Sequence, residues 1–195
     1  MPKIIRPPSG PFVLLDLETS GFDHHRHEIL QVGILIGEII NHRGIIYDTY
    51  ETKIIPENIE EASKKALEIN KYDPEVWEAE GLPASDVFPF LVEFLDGCVF
   101  IGYNTPFDLG FLRSCIGLEG FKWVEPIKQF DVLVEIGRPL SRMKSYPNAK
   151  LDTLCAKERI DYPAHDALGD VKRTWVLMWE GYKMLTGEDV EYDIP

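Results

Sequence analysis

Acidic residues and one histidine gather in three short stretches of this 195-residue chain. The stretches are Asp16-Leu17-Glu18-Thr19, Asn104-Thr105-Pro106-Phe107-Asp108, and His165-Asp166-Ala167-Leu168-Gly169-Asp170. A carboxylate beside so much apolar sequence is costly to desolvate unless something pairs with it. The first stretch follows Phe12-Val13-Leu14-Leu15, a run that has the length and boundaries of a buried strand. Side chains alternate across a strand, so Asp16 and Glu18 point the same way. Two carboxylates so placed repel and raise each other's pKa. A hard divalent cation such as Mg²⁺ or Mn²⁺ removes that cost. The competing assignment is an exposed strand end carrying two solvated acids.

The second stretch follows Cys98-Val99-Phe100-Ile101, another apolar strand pattern closed by Gly102. Thr105 and Pro106 match an N-cap and a first helical residue, with the helix running to about Ile116. Asp108 precedes Leu112 by four residues and Cys115 by seven, so it shares their inward face. An acid in a first turn also simply complements the helix dipole. Asn104 alone is an ordinary turn residue. The third stretch opens a helix with an inward stripe of Ala167, Val171, Thr174, Trp175 and Met178. Asp170 borders that stripe and Asp166 lies one turn earlier. Spacing does not choose between them as a ligand. His165 stands at the helix start, and imidazole titrates near neutral pH, as a general base must.

Together the three stretches resemble the DEDD superfamily of 3′–5′ exonucleases, in the branch that carries His in its third motif. The matching patterns are Asp-x-Glu-Thr at 16–19, Asn-x-x-Phe-Asp at 104–108 and His-x-x-x-x-Asp at 165–170. Flanking residues fit too: Ser20-Gly21, Phe111-Leu112, and Lys150-Leu151-x-x-Leu154. The resemblance runs from about Phe12 to about Tyr182. Similar proteins include the proofreading epsilon subunit of bacterial DNA polymerase III and stand-alone relatives.

The resemblance implies that Asp16, Glu18, Asp108 and Asp170 hold two Mg²⁺ or Mn²⁺ ions, and that His165 takes a proton from the attacking water. It resolves the third motif in favour of Asp170 and leaves Asp166 as a first-turn helix acid. Leu17 and Thr19 are implied contacts of the terminal nucleotide, and Asn104 a support of the second motif's turn. Tyr103 stands where many relatives have His and others have Gly-Tyr-Asn. The implied activity is metal-dependent 3′–5′ hydrolysis of single-stranded DNA or RNA ends by a two-metal mechanism, releasing nucleoside 5′-monophosphates. The alternative is a non-catalytic module of the same fold docked in a polymerase or repair assembly. The partners are a single-stranded 3′ end and, as a candidate, a DNA polymerase; the oligomeric state stays open.

The net charge is −13, which argues against a protein that grips long duplex through a basic footprint. An exonuclease needs only a few nucleotides at one end, with bound metals supplying positive charge. One stretch runs against the overall charge: Gly137–Lys150 carries Arg138, Arg142, Lys144 and Lys150 and no acid. It is expected to be a mobile loop, with Arg142 and Lys144 as candidate phosphate contacts; the bland alternative is a solvated basic loop. His24-His25-Arg26-His27 is expected to be an exposed loop in preference to a metal site, because adjacent residues point in different directions. Three widely spaced cysteines, Cys98, Cys115 and Cys155, fit buried free thiols in a reducing compartment, and a cytoplasmic location. Met1 to Pro11 has no apolar signal stretch, and Ile29 to Ile40 is too short to span a bilayer.

The elements that must position these residues are readable as well. Phe12–Leu17, Glu28–Ile36 and Ile45–Ile55 pattern as three successive strands, with further strands at Cys98–Ile101 and near Gln129–Phe130. Helices are expected at Glu60–Ile69, Asp86–Leu95, Val132–Ile136 behind an Asp131 cap, Ala149–Glu158 and His165–Leu185, while Tyr72–Ser85 is expected to be irregular. A β-meander followed by alternating helix and strand predicts an α/β chain with a mixed sheet. The resemblance implies a ribonuclease H-like fold, here with a five-stranded sheet flanked by helices. The chain is expected to be one exonuclease domain over 1–195, its core at about 12–185 and a short acidic tail at 186–195 that frays. The Trp175, Trp179 and Tyr182 face is either core or a dimer interface.

Overall fold

The structure, a computed structural model, describes residues 6–195; the first five residues of the Pro-rich start lie outside the described residues. Three long strands open the fold: β1 (Gly10–Thr19), β2 (Ile29–Ile40) and β3 (Arg43–Lys53). They form an antiparallel meander. β4 (Val99–Gly102) and β5 (Lys128–Asp131) then add in parallel beside β1. Among the described residues the sheet has six strands, in the order β5-β4-β1-β2-β3-β6. The sixth, β6 (Glu191–Tyr192), corrects the expected five. It comes from the acidic tail, which pairs with the start of β3 instead of fraying. Trp175 Nε1 donates to the Asp193 carbonyl at 2.9 Å and the Ile46 N–H to the Asp193 carboxylate at 3.0 Å, so the tail has specific anchors.

Alternation along β1 divides the core. Val13, Leu15 and Leu17 point toward α3 (Ala84–Leu95) and α4 (Thr105–Leu118), where Leu91, Phe111 and Leu112 are fully buried. Phe12 and Leu14 point the other way, toward α7 (Ala167–Thr186). There Trp175, Trp179 and Tyr182 are buried within the chain, so this face is core. Asp16 and Glu18 continue the Phe12–Leu14 face past the end of the apolar run.

Several local expectations change in three dimensions. The Glu60–Ile69 helix is broken into a 3₁₀ turn at Ile59–Glu61 and a short α1 (Lys64–Ile69). The expected irregular stretch contains α2 (Pro74–Glu80), started by Asp73, whose carboxylate accepts the Glu75 N–H, and by Pro74 at the first position. The expected mobile loop at Gly137–Lys150 instead carries α5 (Arg138–Lys144) over its first half, continuing a π-helical turn at Leu133–Gly137. Leu140 and Ser141 are buried there, which fixes the segment. The last expected helix but one is α6 (Leu151–Glu158). Cys115 and Cys155 are buried free thiols, whereas Cys98 is half-buried. Among the described residues, no helix is long and apolar enough to cross a membrane.

Candidate active site

The carboxylates converge at the carboxyl end of β1. Parallel β4 ends beside the middle of β1, which runs on past it to Thr19, and α4 leaves β4 through a turn at Asn104. Asn104 is the N-cap, in the left-handed region (φ +75°), which an Asn tolerates well; Thr105 and Pro106 are the first helical residues. This moves the expected cap from Thr105 back by one. Asp131 at the end of β5 ties the turn down, its Oδ1 accepting from the Asn104 N–H at 3.1 Å and the Leu133 N–H at 3.0 Å. The expected Asp131 cap therefore also braces the second motif. Asp108 is buried, and its Oδ1 accepts the Leu17 N–H at 3.2 Å, locking α4 to β1.

The third motif arrives from the opposite sheet face. Asp16 pairs in register with Gly33 of β2. A Cβ on Gly33 would stand 2.3 Å from the Ala167 backbone, so only glycine lets the start of α7 sit against the sheet at this point. Asp166 is the N-cap of α7, its Oδ2 accepting the Gly169 N–H at 2.9 Å. Gln31 Nε2 donates to its other oxygen at 3.3 Å. Asp166 is thus occupied as a cap one position ahead of the first turn where it was expected. Asp170, one turn on, faces the β1 acids. His165 takes a left-handed backbone (φ +57°), which turns its N–H toward Asp170 Oδ2 at 3.3 Å.

Glu18, His165 and Asp170 each offer a donor atom within 4.8 Å of the others. Asp16 and Asp108 are outside that set but in the same cleft, since their charges act on it. Burial, then Asp108, Asp170 and Glu18, push the Asp16 pKa well above the usual carboxylate range. Burial likewise raises Asp108, against the opposing backbone hydrogen bonds. Burial followed by Asp170 and Asp166 pushes Glu18 up to about 7. Asp170 is raised less freely: burial lifts it, but the Arg173 guanidinium opposes. Oxygen-rich acids held close against their own repulsion suit a hard divalent cation, so the residues present fit the metal that the sequence implies.

Beside this cleft lies a hollow of about 230 Å³ lined by Leu17, Glu18, Thr19, Phe22, Ile69 and His165 among others. The expected contacts Leu17 and Thr19 both border it. Thr19 Oγ1 donates to the Gly21 carbonyl at 2.7 Å, and buried Asn70 donates to the Thr19 carbonyl at 2.9 Å, shaping its rim. Asn104 lines a separate, more open hollow with Arg138 and Lys150. Arg142 and Lys144 border neither; they are exposed on the outer side of α5, so the structure does not bring these two expected contacts to the site. The His24–His27 loop lines a third hollow of about 320 Å³, and its three imidazoles form no metal-ligating cluster among the described residues.

Sequence reasoning missed Arg173, Asp152, Gly33, Ile69 and Asn70. Arg173 had a signal: a cation three residues after Asp170, bordering the inward stripe of α7. Gly33 had one too, a glycine inside a strand pattern, which marks a bulge or a close backbone approach. Asp152, Ile69 and Asn70 had none, because their partners are distant in the chain.

Residues 13–178 match the RNase_T family model, described as exonuclease. The chain is 32% identical over 168 residues to the DNA polymerase III PolC-type of Thermotoga petrophila, covering 85% of this chain and 11% of that protein. It therefore spans about 11% of the length of that relative. E. coli exonuclease I in complex with a dA16 oligonucleotide has a similar fold, with a TM-score of 0.75 at 19% identity, over 91% of this chain and 41% of the other. The zinc-ion-bound form of an E. coli exonuclease I complex with single-stranded DNA gives 0.75 at 18% identity, over 91% and 41%. The expected ribonuclease H-like architecture is thus the one observed, with six strands in place of five.

Proposed function

The chain belongs to this exonuclease family, and from that premise we propose that it removes nucleotides from the 3′ end of single-stranded DNA or RNA, releasing nucleoside 5′-monophosphates. The observation that carries the proposal is the convergence of Glu18, Asp170 and His165 within 4.8 Å of one another. Asp16, Glu18, Asp108 and Asp170 would hold two Mg²⁺ or Mn²⁺ ions. Bound there, such ions lower the pKa of a water nucleophile and stabilise charge on the leaving oxygen. His165, with 47% of its side chain exposed, would take the proton of the attacking water and pass it to solvent. The hollow beside Glu18 receives the terminal nucleoside, with Leu17, Ile69 and Phe107 against the base and Thr19 at the sugar.

Solved exonuclease I structures hold single-stranded oligonucleotides, and one holds zinc, which supports a single-stranded substrate and a divalent-metal site here. The PolC-type relatives support a polymerase as partner and proofreading as the setting. Residues 12–185 serve as one exonuclease domain, with 186–195 sealing the edge of the sheet. Free cysteines fit a cytoplasmic location.

The test is degradation of 5′-labelled single-stranded DNA and RNA of matched sequence, in Mg²⁺, in Mn²⁺ and in EDTA, beside His165→Ala. A metal-dependent ladder shortening from the 3′ end, lost in the variant, is the expected result; the faster polymer names the substrate class. No cleavage of either polymer in any metal would move the protein to the non-catalytic docking module.

A further inference from the structure

Arg173 is 4% exposed, an arginine inside the apolar body of α7. Its fork spans two carboxylates from different helices. Nη1 donates to Asp170 Oδ1 at 2.5 Å, and Nη2 donates to Asp152 Oδ1 at 2.7 Å. The second oxygen of Asp152, in the first turn of α6, lies 3.7 Å from His165 Nε2, within reach of the imidazole when that carries a proton. Asp170 in turn accepts the His165 N–H. The four residues close a ring: imidazole, Asp152, guanidinium, Asp170 and back to the histidine backbone. Buried Arg173 Nε has no acceptor among the described residues, so the side chain is held by its two forks alone. A planar guanidinium fixes the planes of both acids at once, which a lysine cannot do.

We propose that Asp152 and Arg173 are positioning residues, which orient His165 and the carboxylate of Asp170 as one unit. The inference rests on the roles given above to His165 and Asp170 and goes beyond them. Neither Asp152 nor Arg173 touches the reacting atoms. Arg173 sets the oxygen that Asp170 presents to the cleft. Asp152, on the solvent side and 53% exposed, draws the histidine ring over the same cleft. Residues that orient a metal-binding side chain from behind typically carry about 10–100-fold of metal affinity or activity.

Two variants separate the unit from a plain surface ion pair. Asp152→Asn is expected to lower kcat about tenfold, leaving KM for a short oligonucleotide and the Mn²⁺ dissociation constant within about twofold, since Arg173 still holds Asp170. Its ring nitrogen and proton resonances for His165 should move in the metal-free protein. Arg173→Met is expected to weaken Mn²⁺ binding, measured by calorimetry, about tenfold, and Arg173→Lys to restore only part of it. Adding Asp152→Asn to Arg173→Met should cost little more, as for residues acting together. An unchanged kcat and unchanged His165 resonances in Asp152→Asn would overturn the proposal. So would Mn²⁺ binding that is unchanged or tighter in Arg173→Met, the result expected of a cation that merely repels the metal. The resonance and calorimetric results stand even if the wild-type protein cleaves no nucleic acid, so failure of the exonuclease assignment is told apart from failure of the positioning unit.

Discussion

Two helices on opposite faces of the sheet each deliver one carboxylate to the cleft, and they hold it by opposite means. Asp108 on α4 is buried with only hydrogen bonds for support, among them the Leu17 N–H. Asp170 on α7 is buried against a full positive charge from Arg173. The first is held by neutral donors alone, so burial opposes its ionised form with no counter-charge beside it. The second already has its counter-charge and stays oriented without one. One cleft thus combines an acid without a counter-charge with an acid whose geometry is set beforehand. The β1 acids belong with the first kind: burial and neighbouring acids raise both.

The sharpest way to break this comparison is to neutralise each helix acid in turn. Asp108→Asn and Asp170→Asn should both lower kcat at least about a thousandfold, the loss of several kcal/mol of charge stabilisation. Their effects on the metal-free fold should have opposite signs. Asp170→Asn leaves Arg173 with one partner in place of two and should destabilise by about 3 kcal/mol. Asp108→Asn keeps an acceptor for the Leu17 N–H, takes away the cost of ionising a buried acid and should raise Tm in EDTA at pH 8. Chemical denaturation of both variants decides it; a fall in stability for both would show that α4 is held by charge as well.

A smaller effect follows from pH. Glu18 has a folded pKa of about 7 against an ordinary 4.5. Between those values the folded protein keeps a proton that the unfolded chain has lost. Stability from this group is therefore complete below about pH 4.5 and is lost as pH rises through 7. Without metal, Tm should drop by about 5 °C from pH 5 to pH 8, less steeply in Glu18→Gln, and Mn²⁺ should abolish the drop. Calorimetry in EDTA that finds Tm rising with pH would contradict the uncompensated character of the β1 acids. The smallest effect concerns the cations off the site. Arg142→Glu should change oligonucleotide affinity by less than about twofold even at low salt, where exposed charges count most. A larger loss in a titration would mean that the substrate strand crosses the outer side of α5.

How legible this was differs by element. The β-meander, β4, α4 and α7 were readable because each carries a strong apolar period. The Asp131 cap was readable from the short polar break before Val132, although its grip on Asn104 was not. The tail misled because Glu188, Asp189, Glu191 and Asp193 look solvated in sequence; only the open edge of β3 makes a strand of Glu191–Tyr192 among them. Gly137–Lys150 misled because prolines and charges mask two buried residues, Leu140 and Ser141, that seat a helix. Arg142 and Lys144 were chosen by charge alone, and charge does not say which side of a helix faces the cleft.

The sequence by itself offered the candidate acids and the histidine, in their order and on their kinds of element, with the family resemblance and not spacing choosing Asp170 over Asp166. Those properties are local, set by side-chain type and by the periods of strand and helix. Only the tertiary structure decided which acids are compensated, that Gly33 admits the start of α7 against β2, and that Asp152 reaches His165. Each of these depends on distances between segments far apart in the chain, where a single guanidinium or a missing Cβ determines what can approach.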